Sequence, residues 1–270
     1  MNPYIELLRP SVCLMTVLGL AIGTLVAGTF TTPLVFLIAL IAAFLICGSG
    51  DAINDYLDHK IDKISMPHRP IPSGRVKREN AFRLFAVTGV LGLVLAFFVS
   101  IPFFAIALFN FVVSTLYAYK LKRAVFLKNI AVNWLAASSF LAAGFLTDII
   151  TINMALMLLV IISFLAAMSR EILKDIRDVQ GDKSAGIKTI PISIGEKKTK
   201  IFAFVLLYLA CILLLAPFYY GIFSVYYWIG AIPAVLICVY AAKLPIRKSE
   251  RMVKIATYFV FLGFILGSLI

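Results

Sequence analysis

Long apolar runs separated by short polar connections dominate the chain. Nine runs stand out: Ser11 to Phe30, Pro33 to Ile53, Ala81 to Val99, Pro102 to Leu121, Val125 to Leu146, Ile152 to Met168, Ile201 to Pro217, Phe223 to Ala242 and Met252 to Ile270. Each is close to the roughly 20 apolar residues with which an α-helix crosses a bilayer. The runs are continuous, whereas a transmembrane β-barrel needs short segments of alternating polarity. The predicted fold is an all-α polytopic membrane protein with nine transmembrane helices.

Composition agrees: 62% of the 270 residues are hydrophobic and 14% are charged, against about half and a quarter in soluble domains. Only Arg9 precedes the first run, which is longer than a signal-peptide core and has no small-x-small site after it. No cleaved signal peptide is expected. Cys13, Cys47, Cys211 and Cys238 all fall in apolar runs, without Cys-x-x-Cys spacing or flanking histidines. They are expected as core-filling residues rather than as a disulfide frame or a zinc site.

Charge orients the spans. The connections Gly28 to Pro33, Val99 to Pro102, Thr147 to Thr151 and Pro217 to Ser224 are short and nearly uncharged, whereas 54–80, 120–128, 169–200 and 243–251 are basic. The two kinds alternate, so with nine spans all 25 Lys and Arg residues lie on one side and Asp148 is the lone charge on the other. Under the positive-inside rule the amino terminus is cytoplasmic and the carboxyl terminus outside. The net charge of +12 then reflects topology and contact with anionic membrane lipids, not nucleic acid.

Eight of the 13 acidic residues form two clusters, Asp51, Asp55, Asp58, Asp62 and Glu171, Asp175, Asp178, Asp182, with the same spacing of 4, 3 and 4. On a continuous α-helix such positions fall at about 0°, 40°, −20° and 20° around the axis, one narrow stripe. Each stripe is expected at the cytoplasmic, C-terminal end of a span, where like charges repel, the helix dipole is unfavourable and water is scarce. A bound divalent cation removes that cost, and oxygen-only ligands favour Mg²⁺ or a similar hard ion. The equal spacing, 120 residues apart, also suggests an internal repeat within one domain spanning 1–270. Surrounding basic residues, Lys60, Lys63, Arg69, Arg75, Lys77, Arg78, Lys174, Arg177, Lys183 and Lys188, with Tyr117, Tyr119, Lys120, Lys122 and Arg123 at the same level, suit a diphosphate held by metal and cations.

The motifs carry a resemblance. Asn54-Asp55-Tyr56-Leu57-Asp58-His59-Lys60-Ile61-Asp62 is similar to the NDxxDxxxD motif of UbiA-type intramembrane prenyltransferases, and Asp175 to Asp182 to their DxxDxxxD motif. The flanks Arg69-Pro70-Ile71-Pro72-Ser73-Gly74 and Gly186-Ile187-Lys188-Thr189-Ile190-Pro191, and Arg9-Pro10 before the first span, match too. Within that family the short length, the lead-in from Gly48 to Tyr56 and the stretch from Lys174 to Asp182 most resemble the archaeal enzymes that prenylate geranylgeranylglyceryl phosphate. Asp51 and Glu171 lie outside the usual motifs, and no basic group fits the family's Tyr-x-x-x-Lys arrangement unambiguously.

The resemblance implies a helix bundle around a central cavity, in the cell membrane, with its active site on the cytoplasmic side. It implies two Mg²⁺ ions bridged by the substrate, an isoprenyl diphosphate donor and a lipid-like prenylated glyceryl phosphate acceptor. Asn54, Asp58, Asp175 and Asp178 are the implied metal ligands; Asp55, Asp58, Asp62, Asp175, Asp178 and Asp182 the implied catalytic set. Arg9, Asn54, Lys63, Arg69, Tyr117, Lys120, Lys122, Arg123, Lys174 and Lys188 are the candidates for substrate contact. The expected reaction is geranylgeranyl transfer from its diphosphate, forming an ether. An aromatic quinone or tetrapyrrole precursor is the alternative acceptor. A divalent-cation transporter would place its carboxylates nearer the bilayer midplane, and a CDP-alcohol phosphotransferase motif fails at His59-Lys60.

Overall fold

The computed structural model of the chain describes residues 2–184 and 188–269, with the side chains of Arg123 and Ser184 also outside the description. The candidate Arg123 side chain, the motif residues Gly186 and Ile187, and the final span residue Ile270 therefore lie outside the described residues. The described residues form helices and turns without a strand. In chain order the α-helices are α1 (Pro3–Leu7), α2 (Pro10–Ala27), α3 (Pro33–Ser65), α4 (Arg78–Val99), α5 (Ile101–Tyr119), α6 (Leu127–Leu141), α7 (Met154–Arg177), α8 (Val179–Ser184), α9 (Ile190–Ile194), α10 (Glu196–Leu213), α11 (Ala216–Tyr219), α12 (Trp228–Ala241) and α13 (Ile246–Ser268).

Each expected apolar run contains one of these helices. The segments α2, α3, α4, α5, α7, α10 with α11, and α13 are long and apolar enough to cross a membrane. In the other two runs the helices α6 and α12 are shorter, at 15 and 14 residues. A 3₁₀ segment, Ala142–Phe145, follows α6, and another, Val225–Tyr227, precedes α12. Large apolar side chains such as Leu34, Val87, Phe98, Ile212 and Leu236 are exposed, as lipid-facing helix surfaces require.

Two helices outrun their apolar cores. At about 1.5 Å per residue, the 33 residues of α3 reach well beyond a hydrocarbon core about 30 Å thick. The surplus, from Ile53 to Ser65, carries the first acidic motif. Likewise α7 continues from Met168 to Arg177 and carries most of the second. Local chemistry starts these helices: Thr32 and Asn153 cap α3 and α7 by accepting hydrogen bonds from the backbone N–H groups of Val35 and Leu156, at 3.4 and 2.8 Å. Such caps satisfy amides that the first helical turn leaves unpaired.

The chain divides into two compact units. One comprises Met1–Thr24, Thr29–Lys122 and Ala142–Thr151; the other Leu25–Gly28, Arg123–Leu141 and Ile152–Ile270. In the first, α3 packs against α4 and α5. Leu7, Val76 and Ala81 form a small buried cluster with Tyr56, Ile71 and Leu84, which ties α1 and the loop after α3 to the motif-bearing end of that helix. In the second, α7 packs against α6, α10 and α13, and α12 crosses α13. That crossing is close enough that a Cβ on Gly230 would meet the Phe259 carbonyl oxygen and the Gly263 backbone, the kind of approach small residues permit.

Candidate active site

The first acidic stripe lies wholly on α3, so the 4, 3, 4 spacing does align Asp51, Asp55, Asp58 and Asp62 on one helix face. Asp55 and Asp62 are buried, and three cations from three other parts of the unit meet the stripe. Arg9 lies 3.0 Å from Asp51 through Nη1 to Oδ1 and also pairs with Asp55. Arg69 reaches Asp62 Oδ2 at 2.8 Å and Asp55 Oδ1 at 3.3 Å. Lys122 pairs with Asp58.

Arg9 is held in an unusual backbone conformation. It joins α1 to α2 with φ of 46°, a left-handed geometry that costs a non-glycine residue about 1–3 kcal/mol. Its guanidinium returns that cost through two carboxylate contacts, and the neighbouring acids push its pKa above the ordinary arginine value against the opposing effect of burial. Nearby, Arg75 clamps Glu6 of α1 through both oxygens, at 2.7 and 3.0 Å, and the Glu6 carboxyl is held below its ordinary range chiefly by that hydrogen bonding.

In the second unit the stripe is interrupted. The helix α7 ends at Arg177, Asp178 is its C-cap with φ of −96° and ψ of 5°, and α8 begins at Val179. Backbone bonds still bridge the junction: Asp178 N–H donates to the Lys174 carbonyl and Asp182 N–H to the Asp178 carbonyl, at 3.0 and 3.1 Å. The condition for a single stripe, a continuous helix, is met by the first cluster and fails at Asp178 in the second, where the C-cap falls on a motif aspartate.

Partners differ as well. Asp175 is buried, with Lys128 Nζ 2.7 Å from Oδ1 and Asn129 Nδ2 3.0 Å from Oδ2. Asp178 is bound side-on by its neighbour Arg177, at 2.8 and 2.9 Å, and is far more open. Arg177 also reaches Glu250 of α13, at 2.7 Å. The Arg177 hydrogen bonds hold the Asp178 carboxyl below its ordinary pKa, whereas burial raises that of Asp182. Glu171 lies 3.4 Å from both Arg170 and Lys174.

Of the other candidates, Lys63, Lys120 and Lys188 are exposed and Tyr117 is half-buried near the end of α5. The Asn54 amide makes no side-chain hydrogen bond among the described residues. Lys128 and Asn129 escaped the sequence reading. Their signal was local: Asn129 and Asn133 are polar, one turn apart, in an apolar run, and both are buried.

The donors suit a hard cation. Asn54 and Asp58 are one turn apart on α3, Asp175 and Asp178 nearly so across the end of α7, and all offer oxygen. Among the described residues, no three carboxylates of either stripe converge within 4.8 Å. Neither stripe alone is a closed cage, which fits Mg²⁺, an ion that takes one or two carboxylates and completes its shell with water and phosphate oxygen.

Long apolar helices and two oxygen-rich acidic stripes, each met by cations, define a polytopic membrane protein equipped for metal and phosphate chemistry. The chain belongs to the UbiA prenyltransferase family, whose sequence pattern matches residues 13–265. It is 34% identical to the digeranylgeranylglyceryl phosphate synthase of Methanosphaera stadtmanae over 277 residues, covering 100% of both chains. It is 37% identical to the enzyme of that name from Methanosarcina mazei, covering 98% of this chain and 97% of that one. A solved structure described as that of a digeranylgeranylglyceryl phosphate synthase in membranes superposes with a TM-score of 0.87 at 34% identity, over 99% of this chain and 98% of the other. A UbiA homologue from Archaeoglobus fulgidus, solved with DMAPP and Mg²⁺, shares the fold, with a TM-score of 0.70 at 17% identity over 99% of each chain.

Proposed function

We propose that the chain transfers a geranylgeranyl group from geranylgeranyl diphosphate to geranylgeranylglyceryl phosphate, forming the second ether bond of an archaeal membrane lipid. The observation that carries this reading is full-length identity of 34–37% to enzymes of that name, joined to two acidic motifs at equal spacing. The whole of 1–270 acts as one catalytic domain derived by internal repeat. Nine spans place the amino terminus and the acidic motifs on the cytoplasmic side of the cell membrane and the carboxyl terminus outside, as the distribution of Lys and Arg argues.

Asn54 and Asp58 would hold one Mg²⁺, and Asp175 and Asp178 would hold a second. When bound, Mg²⁺ offsets the charge that develops on the departing diphosphate. The chain's residues do the rest. Arg9 and Arg69 fix Asp55 and Asp62, which orient the first motif. Lys122 pairs with Asp58 and Lys128 with Asp175, and each would supply positive charge for diphosphate oxygen beside its own motif. Lys63 and Lys120 in the first unit, and Arg123, Lys174 and Lys188 in the second, supply further positive charge, and Tyr117 stands near the end of α5. Asp182, among the described residues without an ion-pair partner, is the spare carboxylate that accepts the proton of the acceptor hydroxyl.

The test offers purified protein in liposomes radiolabelled geranylgeranyl diphosphate and geranylgeranylglyceryl phosphate, with and without Mg²⁺. A doubly prenylated, Mg²⁺-dependent product is expected. Transfer to an aromatic acid or quinone precursor instead would keep the chemistry and replace the acceptor. Cation flux without transfer would replace the enzyme by a transporter.

A further inference from the structure

Above the first motif, two cysteines that are far apart in sequence meet a carboxylate. Cys13 of α2, Cys47 of α3 and Asp51 of α3 bring their two sulfurs and one oxygen within 4.8 Å of one another. Cys13 is fully buried. Cys47 and Asp51 are one helical turn apart, so Cys47 continues the acidic stripe into the apolar part of α3. All three residues belong to the same compact unit.

Two further observations point to a ligand. Asp51 uses Oδ1 for Arg9, at 3.0 Å, whereas Oδ2 is buried and has no hydrogen-bond partner. An unsatisfied buried carboxylate oxygen is costly, and this one belongs to the residue that approaches two thiols. The Thr16 hydroxyl also lies beside the group, 3.4 Å from Cys47 Sγ. The set Cys13, Cys47, Asp51 and Thr16 is thus two sulfurs and two oxygens, drawn from α2 and α3.

We infer that Cys13, Cys47 and Asp51 bind a thiophilic divalent cation of the zinc class, a site separate from the hard-ion positions on the same stripe. Zinc takes sulfur at about 2.3 Å and carboxylate oxygen at about 2.0–2.2 Å, which puts tetrahedral ligands about 3.5–3.8 Å apart. With all three ligand atoms within 4.8 Å of one another, the group needs a contraction of at most about 1.3 Å to reach that geometry. Thiolate ligands favour zinc or cadmium over Mg²⁺. Binding releases the thiol protons to solvent, and Cys13 gives up the hydrogen bond it donates to the Leu8 carbonyl at 2.9 Å. The divalent ion then offsets the two thiolates, and Arg9, shared with Asp55, faces the Asp51 carboxylate. The ion pins α2 to α3 beside the residue that anchors Arg9, and its binding does not depend on which prenyl acceptor the enzyme uses.

The experiment uses the full chain in detergent with Mg²⁺ in excess, so that hard sites are filled. Zinc per chain is measured by mass spectrometry after dialysis, and Cd²⁺ is titrated while the ultraviolet thiolate-to-cadmium charge-transfer band is followed. Wild type should hold one zinc more than the Cys13→Ser/Cys47→Ser protein and show a band that this variant lacks. Cys211→Ser/Cys238→Ser should keep both, because among the described residues neither cysteine belongs to a group of three metal-ligating side chains. If the first double variant does not fold, Asp51→Asn decides: the band should persist with affinity at least tenfold weaker. Equal zinc in wild type and the Cys13/Cys47 variant, a band lost in the Cys211/Cys238 variant instead, or unchanged affinity in Asp51→Asn overturns the site.

Discussion

The two acidic motifs share a spacing and differ in almost everything built on it. On α3 the four carboxylates stay on one continuous helix, and three cations from outside that helix hold them. In the second unit the helix stops at Arg177, Asp178 is turned to its own neighbour, and Asp182 has no ion-pair partner among the described residues. All four carboxylates of the first motif are held by cations from outside their helix; in the second, among the described residues, only Asp175 is held that way, by Lys128 with Asn129. Equal spacing fixes which residues can converge, whereas tertiary partners decide how far they have converged.

The strongest test of this contrast removes one carboxylate from each side. Asp58→Ala and Asp178→Ala should each lower kcat/KM about a thousandfold, equivalent to about 4 kcal/mol of transition-state stabilisation. Helix content by circular dichroism should stay unchanged. Steady-state kinetics at saturating Mg²⁺ provides the measurement. Loss in only one variant would mean that only one stripe takes part in transfer.

Much of this was legible in the chain. Hydropathy placed a helix in each apolar run, and seven of the helical segments are long and apolar enough to cross a membrane, because continuous apolar runs are a strong signal for such helices. The aspartate spacing identified the face of α3 because one helix carries the whole motif. It did not reveal the break after Arg177, where the C-cap falls on a motif aspartate. Nor did it reveal Lys128 and Asn129, which reach Asp175 across 47 and 46 residues. The left-handed Arg9 and the meeting of Cys13 with Cys47 are likewise products of packing between helices. The cysteines are free and buried or half-buried, as expected of core-filling residues; the approach of Cys13 to Cys47 had no signal because no local spacing pairs them.

The preorganisation of the first motif should appear in stability. Arg9→Ala leaves Asp51 without a cation while Asp55 keeps Arg69, and breaking such a largely buried pair costs up to about 3–5 kcal/mol. Thermal unfolding in detergent should show this loss for Arg9→Ala and a smaller one for Lys128→Ala, because Asn129 still donates to Asp175. Equal losses would erase the distinction between the motifs.

The second motif can be loosened further through its neutral partner. Asn129→Ala leaves Asp175 Oδ2 without its hydrogen bond, a change worth about 1–3 kcal/mol for a buried acceptor. The expected readout is a lower unfolding temperature in metal-free protein that Mg²⁺ with donor largely restores, since the ion takes over the carboxylate. A deficit that persists with both ligands present would make Asn129 a packing residue rather than a holder of Asp175.

The smallest effect concerns the brace behind Arg9. Glu6 and Arg75 fix α1 to the loop after α3, and α1 leads directly into Arg9. The pair is open to solvent, so its contribution is small and falls in high salt. Its sign is nevertheless determined. The folded Glu6 pKa lies below the ordinary value of 4.5, so the folded state binds fewer protons at this site than the unfolded state in the acid range. The stability advantage of wild type over Glu6→Gln should therefore be full above the ordinary glutamate pKa and disappear as pH falls through the lowered folded value. Matched unfolding curves at neutral and acid pH read it out. A gap that stays constant across that range would mean that Glu6 acts by shape alone, and that charge-based bracing of the first motif ends at Arg9 and Arg69.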